Sequence, residues 1–190
     1  MTVDLPDATL WELAGAGDGE AFGQLFDRHS RAVYNHCFRL TASWSVAEDL
    51  TSTTFLLAWR QRDRMRPTND SLRPWLLAVA TNAVRSDRRS AGRRLRLAAR
   101  VPVEPPAADH ADDVAGRVDD ERRMAAVLAE LHRLPRSQQE AVALCLWSGL
   151  SYAEAAVALG TAEVTVRSHV SRARARLRAA LVPVLTEEPS

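Results

Sequence analysis

The chain has 190 residues, 25 basic and 24 acidic side chains and a formal net charge of +1, and 46% of it is hydrophobic. That composition supports one large or two small packed cores, and no apolar run approaches the roughly 20 residues needed to span a membrane. Two cysteines, Cys37 and Cys145, lie far apart with no CxxC and no histidine cluster beside them, so neither a disulfide framework nor a zinc site is suggested. All basic residues are arginine and isoleucine is absent, a pattern of GC-rich coding that weakens any inference from arginine over lysine. The segment MTVDLPDATL has no basic stretch followed by an apolar one, so no targeting signal is read there and a reducing cytoplasm is the expected location.

From about Asp7 to Arg94 the periodicity is helical, punctuated by Gly15, Gly17 and Gly19 and interrupted between Pro67 and Pro74. Residues 101 to 121 differ in kind: three prolines and seven acidic residues, no aromatic and little apolar material, too little to offset chain entropy. They read as a flexible linker. Beyond it Met124, Val127, Leu128, Leu131 and Leu134 recur at helical spacing until Pro135. An S-x-x-E signature, a serine that caps an amide and a glutamate that reaches back, occurs at Ser45 with Glu48, Ser137 with Glu140 and Ser151 with Glu154. With no β-hairpin signal, the fold class is all-α: two small helical domains joined by a flexible acidic linker.

The stretch SYAEAAVALGTAEVTVRSHVSRARARLR, residues 151 to 178, reads as a short helix, a break at Gly160 and Thr161, and a long helix. The first helix is expected to bury Tyr152, Ala155, Ala156 and Leu159, with Thr161 capping the second. The second carries a stripe of Val166, Val170, Ala173, Leu177 and Leu181, and leaves Arg167, Ser168, His169, Ser171 and Arg172 on other faces. This is the shape of a helix-turn-helix, whose second helix enters a DNA major groove. On spacing alone the arginine-bearing face fits a solvated surface equally well.

Residues 134 to 181 strongly resemble region 4 of the extracytoplasmic-function (ECF) sigma factors of bacterial RNA polymerase, carried by Gly149, Leu150, Ser151, Tyr152, Glu154, Ala155, Thr165, Val166, Arg167, Ser168, Arg172, Ala173 and Arg174. The resemblance implies docking on the β flap of the polymerase and contact of Thr165, Arg167, Ser168, His169, Ser171 and Arg172 with the minus-35 element. The chain departs from the family at Val164, where glycine is usual, and at His169, where arginine or lysine is usual; the second bears on promoter choice.

AEDLTSTTFLLAWR, residues 47 to 60, is similar to the family helix that binds the β′ coiled coil, which implies core-polymerase contacts at Glu48, Asp49, Leu50, Ser52 and Thr53. Ser52 and Thr53 replace a usual Gln-Glu pair. Phe55 and Trp59 are expected to be mostly domain core. SLRPWLLAVATNAVRSDRRSAGRR, residues 71 to 94, resembles the family segment that opens the minus-10 element and holds a flipped base, and assigns that contact to Asn69, Asp70, Asn82, Arg85, Arg88 and Arg89. Trp75 is expected in the core.

The resemblance places a region 2 domain at 1–98, a linker at 99–120 and a region 4 helix-turn-helix domain at 121–184. It implies a promoter-specificity subunit with no catalytic site and no cofactor, whose partners are core RNA polymerase, promoter DNA and an anti-sigma factor. A free-standing DNA-binding regulator and a protein-binding helical adaptor are the alternatives. An enzyme is disfavoured because His29, His36, His110, His132 and His169 are scattered, with no catalytic set around them.

Overall fold

The computed structural model describes residues 5–65, 70–98 and 127–186. Eight α-helices are described: α1 (Asp7–Gly15), α2 (Gly19–Thr41), α3 (Trp44–Gln61), α4 (Arg73–Ala98), α5 (residues 127–133), α6 (Arg136–Val142), α7 (Tyr152–Leu159) and α8 (Glu163–Thr186). Helix α6 widens into a π-helical turn over Ala143–Trp147. Among the described residues there is no strand, and no helix is long and apolar enough to cross a membrane. The linker at 99–120, Met124 and Asn69 lie outside the described residues.

Local chemistry explains the helix starts, and in part differently from the sequence reading. Helix α2 begins where the Asp18 carboxylate accepts the amides of Glu20 and Ala21 at 2.9 and 3.0 Å. The expected cap at Ser45 is displaced: Ser43 caps α3 by accepting the Val46 amide, and Ser45 lies inside the helix. The expected box at Ser137 does not form, because Pro135 occupies the cap position of α6 and Glu140 turns to another partner. Proline at that position has no amide to leave unsatisfied. Helix α8 starts at Glu163, so Thr161 sits ahead of it rather than capping it.

The first core is built from α1 to α4 around Leu10, Trp11, Leu25, Val33, Leu40 and Leu76. Trp11 meets Trp75 edge-on at 5.2 Å, and its indole N–H donates to the Met65 carbonyl at 3.0 Å. Phe55 is buried and Trp59 half-buried, as expected of core-facing aromatics. Asp7 ties three separated segments together. Its carboxylate accepts from Arg28 at 2.5 Å, from His29 at 2.7 Å, from the Ser71 hydroxyl at 3.2 Å and from the Leu72 amide at 2.8 Å. Burial pushes the Asp7 carboxyl up, but the Leu72 amide, Arg28 and His29 outweigh it and hold the carboxyl below its usual 3.8.

His36 on α2 is completely buried and faces Thr81 on α4 at 2.9 Å. Because the Thr81 hydroxyl donates to the Leu77 carbonyl, His36 Nε2–H is the donor and Nδ1 is bare and unpartnered. Burial, with Arg39 nearby, lowers the imidazole to about 3. Cys37, next to it, is buried and its thiol is pushed up to about 12 by burial, against a hydrogen bond from Thr51 that lowers it.

A pH dependence follows. The unfolded chain protonates His36 below 6.5 while the fold keeps it neutral down to about 3, so stability declines as pH falls through that window, by up to about 1.4 kcal/mol per pH unit for one proton. Asp7 adds its own loss only below 3.8, the range in which its folded carboxylate takes a proton. Urea unfolding at a series of pH values should show His36→Leu with a flatter profile between 6.5 and 3 than the parent; an unchanged slope would refute the assignment.

Candidate nucleic-acid interface

The reciprocal box predicted at Ser151 is present. The Ser151 hydroxyl accepts the Glu154 amide at 3.2 Å, and the Glu154 carboxylate accepts the Ser151 amide at 2.8 Å and its hydroxyl at 2.7 Å. The Ser151 hydroxyl and amide hold the Glu154 carboxyl below its ordinary value. Helix α7 ends at Gly160, which adopts the left-handed conformation (φ 64°, ψ 42°) that a Cβ would strain. The small faces of Ala155 and Ala156 then let α8 approach, and Val166 and Val170 close this second core. Ala158 is buried as well, whereas Tyr152 and Leu159 are only half-buried.

On α8 the stripe Val166, Val170 and Ala173 faces inward and Leu177 packs against it half-buried. The side chain of Leu181 lies outside the described residues. The opposite face presents the six residues assigned to the minus-35 element: Arg167, Ser171 and Arg172 exposed, and Thr165, Ser168 and His169 half-exposed. Arg167 pairs with Glu163 at 2.8 Å and lies over the Tyr152 ring at 5.2 Å. Exposed pairs of this kind are worth about 0.5 kcal/mol, so a phosphate or base edge can displace the carboxylate at small cost.

On α3, Glu48, Asp49, Ser52 and Thr53 are exposed on one side. Leu50 is not a surface residue: it is 7% exposed and belongs to the first core, so its side chain supports that helix face from beneath. An elongated groove of about 540 Å³ runs between α3 and α4, lined by Thr53, Leu57, Trp75, Asn82, Ser86 and Asp87 among others.

The residues assigned to the minus-10 element divide. Asp70, Asn82 and Arg89 are exposed, and Asn69 lies outside the described residues. Arg85 and Arg88 point instead into a seam between α1–α4 and the C-terminal helices. Arg85 makes a two-pronged pair with Glu140 of α6, Nε to Oε1 at 2.9 Å and Nη2 to Oε2 at 2.6 Å, and Glu140 is only 4% exposed. The hydrogen bond to Glu140 raises the Arg85 guanidinium above its ordinary value. Arg88 donates to the Leu40 carbonyl and to Gln139 at 3.3 Å, and burial, with Arg136 nearby, lowers its guanidinium.

Apolar residues interlock across the same seam. Leu77 of α4 is fully buried in the second core, and Ala143 of the π turn is fully buried in the first. His132 of α5 donates from Nε2 to the Arg39 carbonyl at 3.0 Å, and Arg39 lies over the Trp147 ring at 5.4 Å. Sequence reasoning missed Gln139, Glu140, His132 and Trp147, since Glu140 reads as half of a capping box and only its tertiary partner reveals otherwise. Among the described residues no cluster of three or more His, Cys, Asp or Glu is placed to hold a metal ion.

Comparison with known proteins agrees with this geometry. Residues 25–94 match the family description Sigma-70 region 2, and residues 124–177 match Sigma-70, region 4. The RNA polymerase sigma factor NccH of Alcaligenes xylosoxydans xylosoxydans is 35% identical over 95% of this chain and 97% of its own length. The ECF RNA polymerase sigma factor SigK of Mycolicibacterium vanbaalenii is 33% identical over 90% of this chain and 85% of its own. Among solved structures, the sigma factor RpoE of Bartonella quintana in complex with the anti-sigma factor NepR superposes with a TM-score of 0.67 at 28% identity, covering 88% of this chain and 98% of that one. CnrH in complex with the cytosolic domain of CnrY gives a TM-score of 0.69 at 27% identity, covering 92% and 96%.

Glu140→Ala should leave Arg85 unpaired at the seam and weaken closure by about 2 kcal/mol, without touching either core. Small-angle scattering should then report a larger radius of gyration than the parent chain; an unchanged radius would show that the apolar contacts alone hold the seam.

Proposed function

This chain belongs to the extracytoplasmic-function sigma factors, which direct RNA polymerase to particular promoters, and from that premise we propose how its residues divide the work. The domains are residues 1–98, a linker at 99–120 and residues 121–184. The observation that carries the proposal is the outward face of α8, where Thr165, Arg167, Ser168, His169, Ser171 and Arg172 stand opposite a buried aliphatic stripe. The N-terminal residues of this helix reach base edges of the minus-35 element, and the arginines further along meet phosphates. His169, where the family usually has a permanent cation, shifts the balance from phosphate affinity toward base preference.

The acidic and hydroxylic face of α3, Glu48, Asp49, Ser52 and Thr53, contacts the β′ coiled coil, with Leu50 holding its backbone in place from below. The C-terminal domain docks on the β flap. Asn69, Asp70, Asn82 and Arg89 take the minus-10 element as single strand, joined by Arg85 and Arg88 once the seam has opened. The protein needs no catalytic group or cofactor for this, because its contribution is binding energy and the polymerase supplies the chemistry. It works where the polymerase is, in the cytoplasm.

An anti-sigma factor is proposed as its regulatory partner. The solved relative RpoE is bound to the anti-sigma factor NepR and CnrH to the cytosolic domain of CnrY, and their coverage of this chain supports a partner of the same kind. The closed seam described above is the arrangement such a partner would hold, with Arg85 and Arg88 turned away from DNA.

Two variants separate the surfaces. With purified core polymerase, Arg172→Glu should reduce run-off transcription from minus-35-dependent promoters by at least tenfold while co-migration with core enzyme stays near normal. Glu48→Arg combined with Asp49→Arg should do the reverse, losing co-migration while the isolated protein keeps its helical content. Loss of core binding in Arg172→Glu would mean that Arg172 supports the fold instead.

A further inference from the structure

Where the two helical groups meet, a pocket of about 440 Å³ is lined by Arg28, Arg31 and Arg39 of α2, Arg73 at the start of α4, and Trp147 and Ser148 from the end of the π turn. We propose that this pocket binds a small polyphosphate anion, a diphosphate or triphosphate group, and that the bound anion clamps the two groups together.

The spacing of Arg28, Arg31 and Arg39 along α2 puts all three on one helix face, and Arg73 completes a cationic wall from the neighbouring helix. Among the described residues the carboxylate bonded at this wall, Asp7, is already committed. The Asp7 carboxylate takes Arg28, His29, Ser71 and the Leu72 amide together. Among the described residues no carboxylate pairs with Arg31, Arg39 or Arg73. Arg39 is partly buried between the groups, its guanidinium over Trp147 and its carbonyl bonded to His132. Burial and the like charge of Arg73 both lower its guanidinium.

Converging cations in a concave, low-dielectric setting focus positive potential. A group with several anionic oxygens matches planar guanidinium forks better than a single carboxylate does. Trp147 and Ser148 come from the C-terminal group and the arginines from the N-terminal one, so the site is complete only when the seam is closed. A ligand that binds only the closed arrangement stabilises it by mass action. If the proposed function is right, such an anion would also keep Arg85 and Arg88 from promoter DNA, a consequence that rests on that reading although the binding itself does not.

The test uses the full chain without polymerase or promoter, so its failure and the failure of the sigma-factor assignment are distinguishable. Sodium pyrophosphate is titrated by calorimetry at fixed ionic strength, with sodium sulfate as the control, and small-angle scattering is recorded with and without pyrophosphate. The expected result is saturable binding that sulfate does not reproduce, a smaller radius of gyration when bound, and affinity reduced about tenfold or more in Arg73→Gln and in Arg31→Gln. Both of these residues are exposed and unconnected to either core, so the variants should fold. Arg133→Gln, an exposed arginine on α5 paired with Glu130, should leave affinity unchanged. Absence of saturation, equal binding of sulfate, or equal weakening in Arg133→Gln would overturn the proposal. So would Arg73-dependent binding of a single-stranded oligonucleotide with no binding of pyrophosphate, which would make the pocket a track for strand phosphates.

Discussion

Helix α4 has to satisfy two cores and a solvent face at once, and most of the architecture depends on how its 26 residues share those demands. Leu76, Ala80, Ala83 and Val84 fill the first core. Leu77 turns to the second core, and Thr81, Arg85 and Arg88 follow it at helical spacing, meeting His36, Glu140 and Gln139 in turn. Asn82 and Arg89 remain outside. A single rigid helix therefore fixes the N-terminal bundle, seats the C-terminal helices and decides which of its own cations are free.

The chain handles its even balance of charge by segregating it in strength as well as in space. The pairs at Asp7 and Glu140 are buried on the carboxylate side, and breaking them leaves a charge stranded in a poor solvent. The pair on α8, Arg167 with Glu163, is exposed on both sides and contributes little. That difference matters for a protein that must exchange partners. The pair within the N-terminal domain and the pair across the seam both bury the carboxylate and leave the arginine partly exposed, so both are costly to break, whereas the cations on α8 are nearly free.

Arginine also acts here through geometry that lysine cannot copy. Arg62 donates to the Ala14 and Trp59 carbonyls while lying over the Trp59 ring at 3.7 Å, and so fastens the end of α3 to the end of α1. Arg88 closes the end of α2 through the Leu40 carbonyl. Coding bias explains why every cation in the chain is arginine, but the fold uses the planar fork at Arg62, Arg85 and Arg88, each partly buried.

The sequence by itself determined the helical class, the core stripe of α8, the capping box at Ser151 and the family. Each of these is set by residues within a few turns of one another or by motifs that are contiguous in the chain. It misplaced the caps of α3 and α6 because serine at the right spacing is not sufficient; a competing cap at Ser43, or a proline at the cap position, wins by local geometry. Only the tertiary structure decided that Leu50 is core, that His36 is held neutral, and that Arg85 and Arg88 meet the C-terminal helices. The reason is physical: Arg85 and Glu140 are 55 positions apart, and whether a polar side chain faces water or a buried partner depends on packing that no local periodicity encodes.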